Sequence, residues 1–298
     1  MLSLKVSDLT KPEIYQLLSS AIAPRPICFA STVDKEGNVN LSPFSYFNMM
    51  GANPPICVFS PSRRGRDNTT KHTLENVLEV PEVVINMVNY NMVEQMSLAS
   101  TEYPKGINEF YKSGFTPINS ETIKPPRVKE APVQFECVVN DVIALGKEGG
   151  AGNLVIAEVK VIHLQESILD DHGKIDPFKM DFVARLGGNW YSRVTAESLF
   201  EVAKPLAKLG IGVDALHEDI RNSNILTGNH LGQLGNVEKL PDEDEVKLFE
   251  LEPEIKDLLD ATIGDAKTRS TQLHLKAAEF LIQGKVEEAW KTLLIDFF

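Results

Sequence analysis

The chain has 298 residues, enough for a large core and one or two domains. With 43% apolar and 24% charged residues, it has the balance of a folded protein rather than a disordered one. A formal net charge of −12 excludes a general nucleic-acid binder, which needs a basic face.

The acidity is local. From Lys239 to Asp260 there are nine acidic and three basic residues, a balance of −6, half of the total. This reads as an acidic, solvated face. The first residues, MLSLKVSDLTKPEIYQLL, carry charges throughout and lack a signal-peptide core. No apolar run approaches the ~20 residues of a membrane span. Cys28, Cys57 and Cys137 are far apart and form no C-x-x-C pair. Buried free thiols in a reducing cytoplasm fit them better than a disulfide framework or a zinc site.

In chain order, Thr10-x-x-Glu13 is a capping-box pattern, with Pro12 in the first turn. Ile14, Leu17, Leu18 and Ile22 follow at helical spacing, so this helix is expected to pack on a sheet. Ile27 to Val33 reads as a strand, and 34–38 as a turn with Gly37 at positive φ. Val39 to Met49 returns antiparallel. Asn53-Pro54-Pro55 turns again, and Ile56 to Ser60 is the next strand. Thr70 to Val80 reads as a helix, Val83 to Val88 as a strand and Asn91 to Ala99 as a short helix. Tyr103 to Lys129 is a long, ordered excursion across one mouth of a barrel. Val133 to Leu145 and Leu154 to Leu164 are long strands. The glycines of 146–152 join them as a flexible hairpin loop. They open no dinucleotide-binding unit, because a strand follows where a helix is required.

Many short strands with few helices, up to about Val194, predict a mostly antiparallel, barrel-like sheet. The character then changes. Glu197 to Leu209 reads as a helix with Leu199, Val202, Leu206 and Leu209 on one face. Gly210 to Pro241 reads as irregular. From Val246 onward the chain is helical, ending in a hairpin of about Gln272 to Gln283 and Lys285 to Asp296 around Gly284. Two domains are therefore expected, 1–194 and a helical extension at 195–298.

Two stretches carry chemistry. Ser60 to Thr73 holds Arg63, Arg64, Arg66 and Lys71 with several hydroxyls, just before a helix. A helix N-terminus offers free N–H groups and a favourable dipole to a phosphate. Arginine adds bidentate contacts and lysine a mobile point charge. The loop reads equally as a phosphate site and as a solvated basic loop that caps a helix. Leu41 to Asn48 alternates small polar groups with aromatics. Pro43 cannot donate a ladder hydrogen bond, so the strand is expected to break there or to lie at an edge. By itself an aromatic stripe is more often core than cofactor site. His217, His230 and His274 lack metal-ligand spacing, and no metal is expected. His163 ends a strand run and reads as a hydrogen-bonded histidine at the barrel end. Trp190 and Tyr191 read as packing at a dimer interface rather than as a cover for the pocket.

PRPICFASTVDKEGNVNLSPFSYFNMMGANPPICVFS, then an arginine-rich loop and TKHTLEN, resembles the flavin reductase-like family of FMN-binding split barrels, which includes flavoredoxin-type proteins. PPRVKEAPVQFECVV, VIAEVKVIHL and ARLGGNWYSRV continue the resemblance over roughly Ile22 to Val194. It implies a mainly β fold: a six-stranded antiparallel split barrel, forming a homodimer with one FMN per subunit. Carried over by position, Ser42, Pro43, Phe44, Ser45 and Asn48 would line the flavin ring. Ser60, Arg63, Lys71 and Thr73 would hold the phosphate, with Asn76 supporting that loop. Relatives commonly have Lys-Asp-Thr where this chain has Lys71-His72-Thr73, so a role needing a carboxylate at His72 is in doubt.

The resemblance implies an oxidoreductase that takes hydride from NADH or NADPH onto FMN. Electrons would pass to flavin, a small molecule or a protein. Hydride transfer asks the protein to stack and orient two rings, so no acid–base triad is expected. Two alternatives stand beside it. One is a flavin-dependent oxidase of a specific small substrate, similar to pyridoxamine-phosphate-oxidase relatives. The other is an electron carrier without NAD(P)H turnover.

Overall fold

The computed structural model describes residues 1–205 and 209–298. They form two compact units, Met1–Phe200 and Glu201–Phe298.

The first unit opens with helix α1 (Lys11–Ala21), started by the expected capping box: Thr10 N–H donates to Glu13 Oε2 at 2.8 Å. Its apolar face does not pack on the sheet as expected. Leu17, Leu18 and Ile22 are 44%, 55% and 63% exposed. The helix is held by its C-terminal end instead. The Arg25 guanidinium donates to the carbonyls of Ser19 and Ile22 (2.6 Å), which the helix end leaves orphaned, and to Leu186 O (3.0 Å).

Strands β1 (Cys28–Val33) and β2 (Val39–Phe44) form a hairpin. Its turn is built on Asp34, whose carboxylate accepts the N–H groups of Glu36 and Asn38, with Gly37 at φ +86°. Next come β3 (Phe47–Ala52), β4 (Pro55–Phe59), helix α2 (His72–Glu79) and β5 (Glu82–Met87). Helices α3 (Val93–Leu98) and α4 (Glu109–Ser113) and the short pair β6 (Pro117–Ile118) and β7 (Arg127–Val128) lead to two long strands, β8 (Val133–Ala144) and β9 (Asn153–Leu164). Helix α5 (Pro177–Met180) and the pair β10 (Val183–Arg185) and β11 (Tyr191–Arg193) complete the unit.

The main sheet is antiparallel, with strand order β2-β1-β5-β8-β9-β4-β3. It has seven strands where six were expected, because the stretch 39–49 breaks at Ser45–Tyr46 into β2 and β3. These two lie at opposite edges of the sheet. Laid flat, the sheet would hold its edges roughly 29 Å apart, from six gaps of about 4.8 Å. Three Cα–Cα steps from Phe44 to Phe47 span at most about 11 Å. The sheet must therefore coil until its edges nearly meet. The result is a split barrel, open rather than closed, with its corner at Ser45–Tyr46. Pro43 is tolerated because β2 is an edge strand.

Strand alternation builds two cores from one strand. Cys28 and Ala30 join Cys57, Phe59, Val83, Ile85, Cys137 and Val155. Phe29, on the other face of β1, joins Leu41, Met92, Met96, Phe110 and Phe115. All three cysteines are free and buried, as expected, and burial raises their thiols above the ordinary range.

The second unit is helical: α6 (Glu218–Arg221), α7 (Gly228–Gly235), α8 (Glu243–Phe249), α9 (Pro253–Ala261), α10 (Ala266–Ile282) and α11 (Val286–Leu294). Its own core surrounds Trp290, whose indole N–H donates to Leu234 O at 3.0 Å. The α10–α11 hairpin turns at Gly284, φ +74°, as expected. Two readings change. Residues 199–205 carry no regular structure where a helix was expected, and Leu206 lies outside the described residues. Pro205 disfavours helical backbone at Lys204. Conversely, 210–241 is not wholly irregular. It contains α6 and α7, whose starts are capped by the His217 ring and the Thr227 hydroxyl. Among the described residues no helix is long and apolar enough to cross a membrane, and no group of His, Cys, Asp and Glu could hold a metal.

Candidate functional site

A cleft of about 810 Å³ opens at the barrel corner, within the size range of cofactor sites. Ser42, Pro43, Phe44, Ser45 and Tyr46, from the end of β2 and the corner itself, form one wall. Ser60, Ser62, Lys71 and Arg63 to Arg66 form the second. Gly149 and Gly150 of the β8–β9 connection form the third. Lys11, Pro12 and Tyr15 of α1, with Ser100 and Glu102, complete the lining.

The basic loop is not a loose solvated loop. Ser60 N–H donates to Tyr46 O at 2.9 Å and fixes the loop to the corner. Arg63 N–H donates to Ala151 O at 2.8 Å, and Gly150 N–H donates back to Arg63 O at 3.0 Å. Asn68, at φ +58°, sends its amide to Lys147 O at 3.1 Å. The 146–152 connection, expected to be a flexible hairpin loop, is thus paired along the basic loop. Its glycines allow this close approach. A Cβ on Gly149 would lie 3.0 Å from Arg64 O, a backbone atom. One on Gly152 would lie 2.6 Å from Ser60 Oγ.

Cations gather here at a cost in mutual repulsion. Burial, and then the Arg64 charge, hold the Lys71 ammonium below its usual range. Burial lowers His72 as well, joined by Arg64, Lys105 and Lys71 against the opposing charge of Glu75. No side chain caps the N-terminus of α2. Ser60 Oγ is buried with no hydrogen-bond partner.

Seven of the ten residues singled out from sequence line this cleft: Ser42, Pro43, Phe44, Ser45, Ser60, Arg63 and Lys71. Three do not. Asn48 is exposed on β3, its side-chain oxygen accepting Met49 N–H at 2.9 Å. Thr73 is fully buried under the loop, where its hydroxyl accepts from Asn40 Nδ2 at 2.8 Å. Asn76 donates to Thr32 Oγ1 at 3.1 Å and ties α2 to β1. His163 lies outside the cleft lining, hydrogen-bonded to Glu136 at 2.8 Å. Trp190 is 76% exposed in the single chain and does not line the cleft. Sequence reasoning missed Tyr15, Glu102, Gly149 and Gly150 as cleft residues. The glycine cluster was the one signal it could have followed.

The model of the flavin reductase like domain matches residues 20–178. The chain belongs to the flavin reductase-like family. The match contains the whole cleft except Lys11, Pro12 and Tyr15. A relative from Aquifex aeolicus is 36% identical over 189 residues, covering 63% of this chain and 94% of its own. Nitrilotriacetate monooxygenase component B from Bacillus cereus superposes with a TM-score of 0.63 at 33% identity, covering 68% of this chain and 98% of that one. A 2-nitrobenzoate 2-nitroreductase from Pseudomonas fluorescens gives a TM-score of 0.59 at 30% identity, covering 70% and 100%. Membership makes this flavin reductase-like protein an FMN-binding oxidoreductase or electron-transfer protein of the split-barrel type.

The residues present fit that cofactor. An unpartnered buried hydroxyl, uncapped helix N–H groups and four cationic side chains suit a phosphate. The Pro43–Phe44 wall offers an apolar surface to a flat ring.

Proposed function

We propose that this flavin reductase-like protein is an NAD(P)H-dependent FMN reductase acting as a homodimer in the cytoplasm. The observation that carries the reading is one continuous cleft with a phosphate-type end and an apolar, polar-rimmed end. Ser60, Arg63 and Lys71 hold the phosphate. Thr73 and Asn76 act from beneath, fixing α2 and hence the loop. Pro43 and Phe44 seat the ring, while Ser42 and Ser45 present hydroxyls to its polar edge. FMN supplies a ring that accepts hydride and releases electrons to flavin, a small molecule or a protein. The chain's own residues bind, orient and shield. They need move no proton, which suits a cleft without a nucleophile–base pair.

The name of the Bacillus cereus relative, one component of a monooxygenase, supports an acceptor supplied by a partner. Exposed Met49 and Met50 on β3, with Leu17 and Leu18 on α1 and Ile22 just after it, offer apolar surface that a second copy would cover. Three unpaired, buried cysteines fit a reducing compartment.

The test is the visible spectrum of the purified protein before and after anaerobic NADH or NADPH. Bound flavin that bleaches is the expected result. Bound flavin that stays yellow with both donors means a carrier or a different reductant. Failure to gain a flavin spectrum on titration with FMN removes the reading.

A further inference from the structure

The basic loop already holds an anion, and it comes from the chain itself. Glu102 lies in the segment after α3, lining the same cleft. One of its carboxylate oxygens is 3.3 Å from Arg64 Nε and 3.9 Å from Lys71 Nζ. The other is 2.9 Å from Arg66. A single carboxylate thus gathers three of the loop's four cationic side chains. The fourth, Arg63, is turned to Asn68, 2.6 Å from its side-chain oxygen. An acidic side chain in an anion site is a local conflict, and such conflicts mark functional positions.

The geometry decides between two roles. A structural tie would be buried and closely bonded, but the Glu102 side chain is 42% exposed and one of its three pairs is loose. Such screened pairs exchange easily. An arriving phosphate would need Lys71, which Glu102 already engages, and would meet Arg64 and Arg66 of the same cleft paired to that carboxylate. It must either displace the carboxylate or bear its repulsion, and both weaken binding.

We propose that Glu102 is an intramolecular stand-in for the cofactor's phosphate. It keeps Arg64, Arg66 and Lys71 in place when no phosphate does, and it lowers FMN affinity so that the cofactor exchanges readily. This rests on the reading of the cleft as the FMN site.

The experiment titrates full-length wild type, Glu102→Gln and Glu102→Ala with FMN and with riboflavin, followed by quenching of flavin fluorescence. Both variants should bind FMN about tenfold more tightly, the sum of three screened charge pairs. Riboflavin, which lacks the phosphate, should bind all three proteins alike. The gain should shrink as salt rises. FMN binding that is unchanged or weaker in both variants overturns the proposal, as does an equal gain for riboflavin. If wild type binds FMN and the variants show no gain, this inference falls alone. If no protein binds FMN, the FMN-site reading falls and this inference with it.

Discussion

Lys71 and Arg63 approach the cleft in different ways, and the difference decides what their loss should do. Lys71 precedes α2, a third exposed, with its charge partly desolvated. Arg63 is committed to Asn68, 2.6 Å and 2.5 Å from its side-chain and backbone oxygens, so it braces the loop as well as charging it. A charge-assisted hydrogen bond contributes about 1.5–3 kcal/mol. Lys71→Ala combined with Arg63→Ala should therefore weaken FMN at least ~100-fold, while riboflavin changes little. Titration of both flavins checks this, and unchanged FMN affinity would remove the phosphate assignment. Ser60, Arg63 and Lys71 were singled out through the family resemblance, since hydroxyls and cations before a helix read equally as a solvated loop. Glu102 was not, since about thirty residues separate it from Lys71 and only the fold brings them together.

At the scale of elements, strand alternation and turn chemistry were readable because they are local. The Asp34–Gly37 turn and the capping box at Thr10 both formed where residues alone placed them. The break at Ser45–Tyr46 was harder to read, since coiling of the whole sheet decides it. The excursion between α4 and β8 shows another non-local tie. Glu136 on β8 is fully buried. Its carboxylate accepts the N–H groups of Glu121 (2.7 Å) and Thr122 (2.8 Å), the Thr122 hydroxyl and His163 Nε2. Burial alone would raise this carboxyl, but those donors outweigh it and hold it down to about 2, from an ordinary 4.5. Because the folded value lies below the unfolded one, the stabilisation is fully present above pH ~4.5. It is lost as pH falls towards ~2, and amounts to about 3 kcal/mol. Glu136→Gln places an amide against backbone N–H groups and should lower the barrel's thermal midpoint at pH 7. Melting both proteins from pH 7 to pH 2.5 should show the wild-type advantage shrinking below pH 4.5. A gap that stays constant with pH would mean the carboxylate charge contributes nothing.

Every residue of the cleft, and both clusters that surround β1, lie within Met1–Phe200. Glu201–Phe298 has a separate core around Trp290, Leu273 and Leu281. The family match ends at residue 178, before that second unit begins. A chain of 200 residues is ample for an independent core. The first unit should therefore fold alone and keep the cofactor site whole. Its surface carries Met49, Met50, Leu17 and Leu18, the apolar groups proposed to meet a second copy. A fragment ending at Phe200 should thus be folded and dimeric, and bind FMN with unchanged affinity. Circular dichroism, light scattering and FMN titration read these three properties on one preparation. If the fragment aggregates, the helical unit covers barrel surface that cannot face water. If it folds and binds FMN but oxidises NAD(P)H faster than the full chain, the helical unit restrains access of the hydride donor. Equal rates would leave flavin chemistry to the barrel alone, with the second unit free for an independent task.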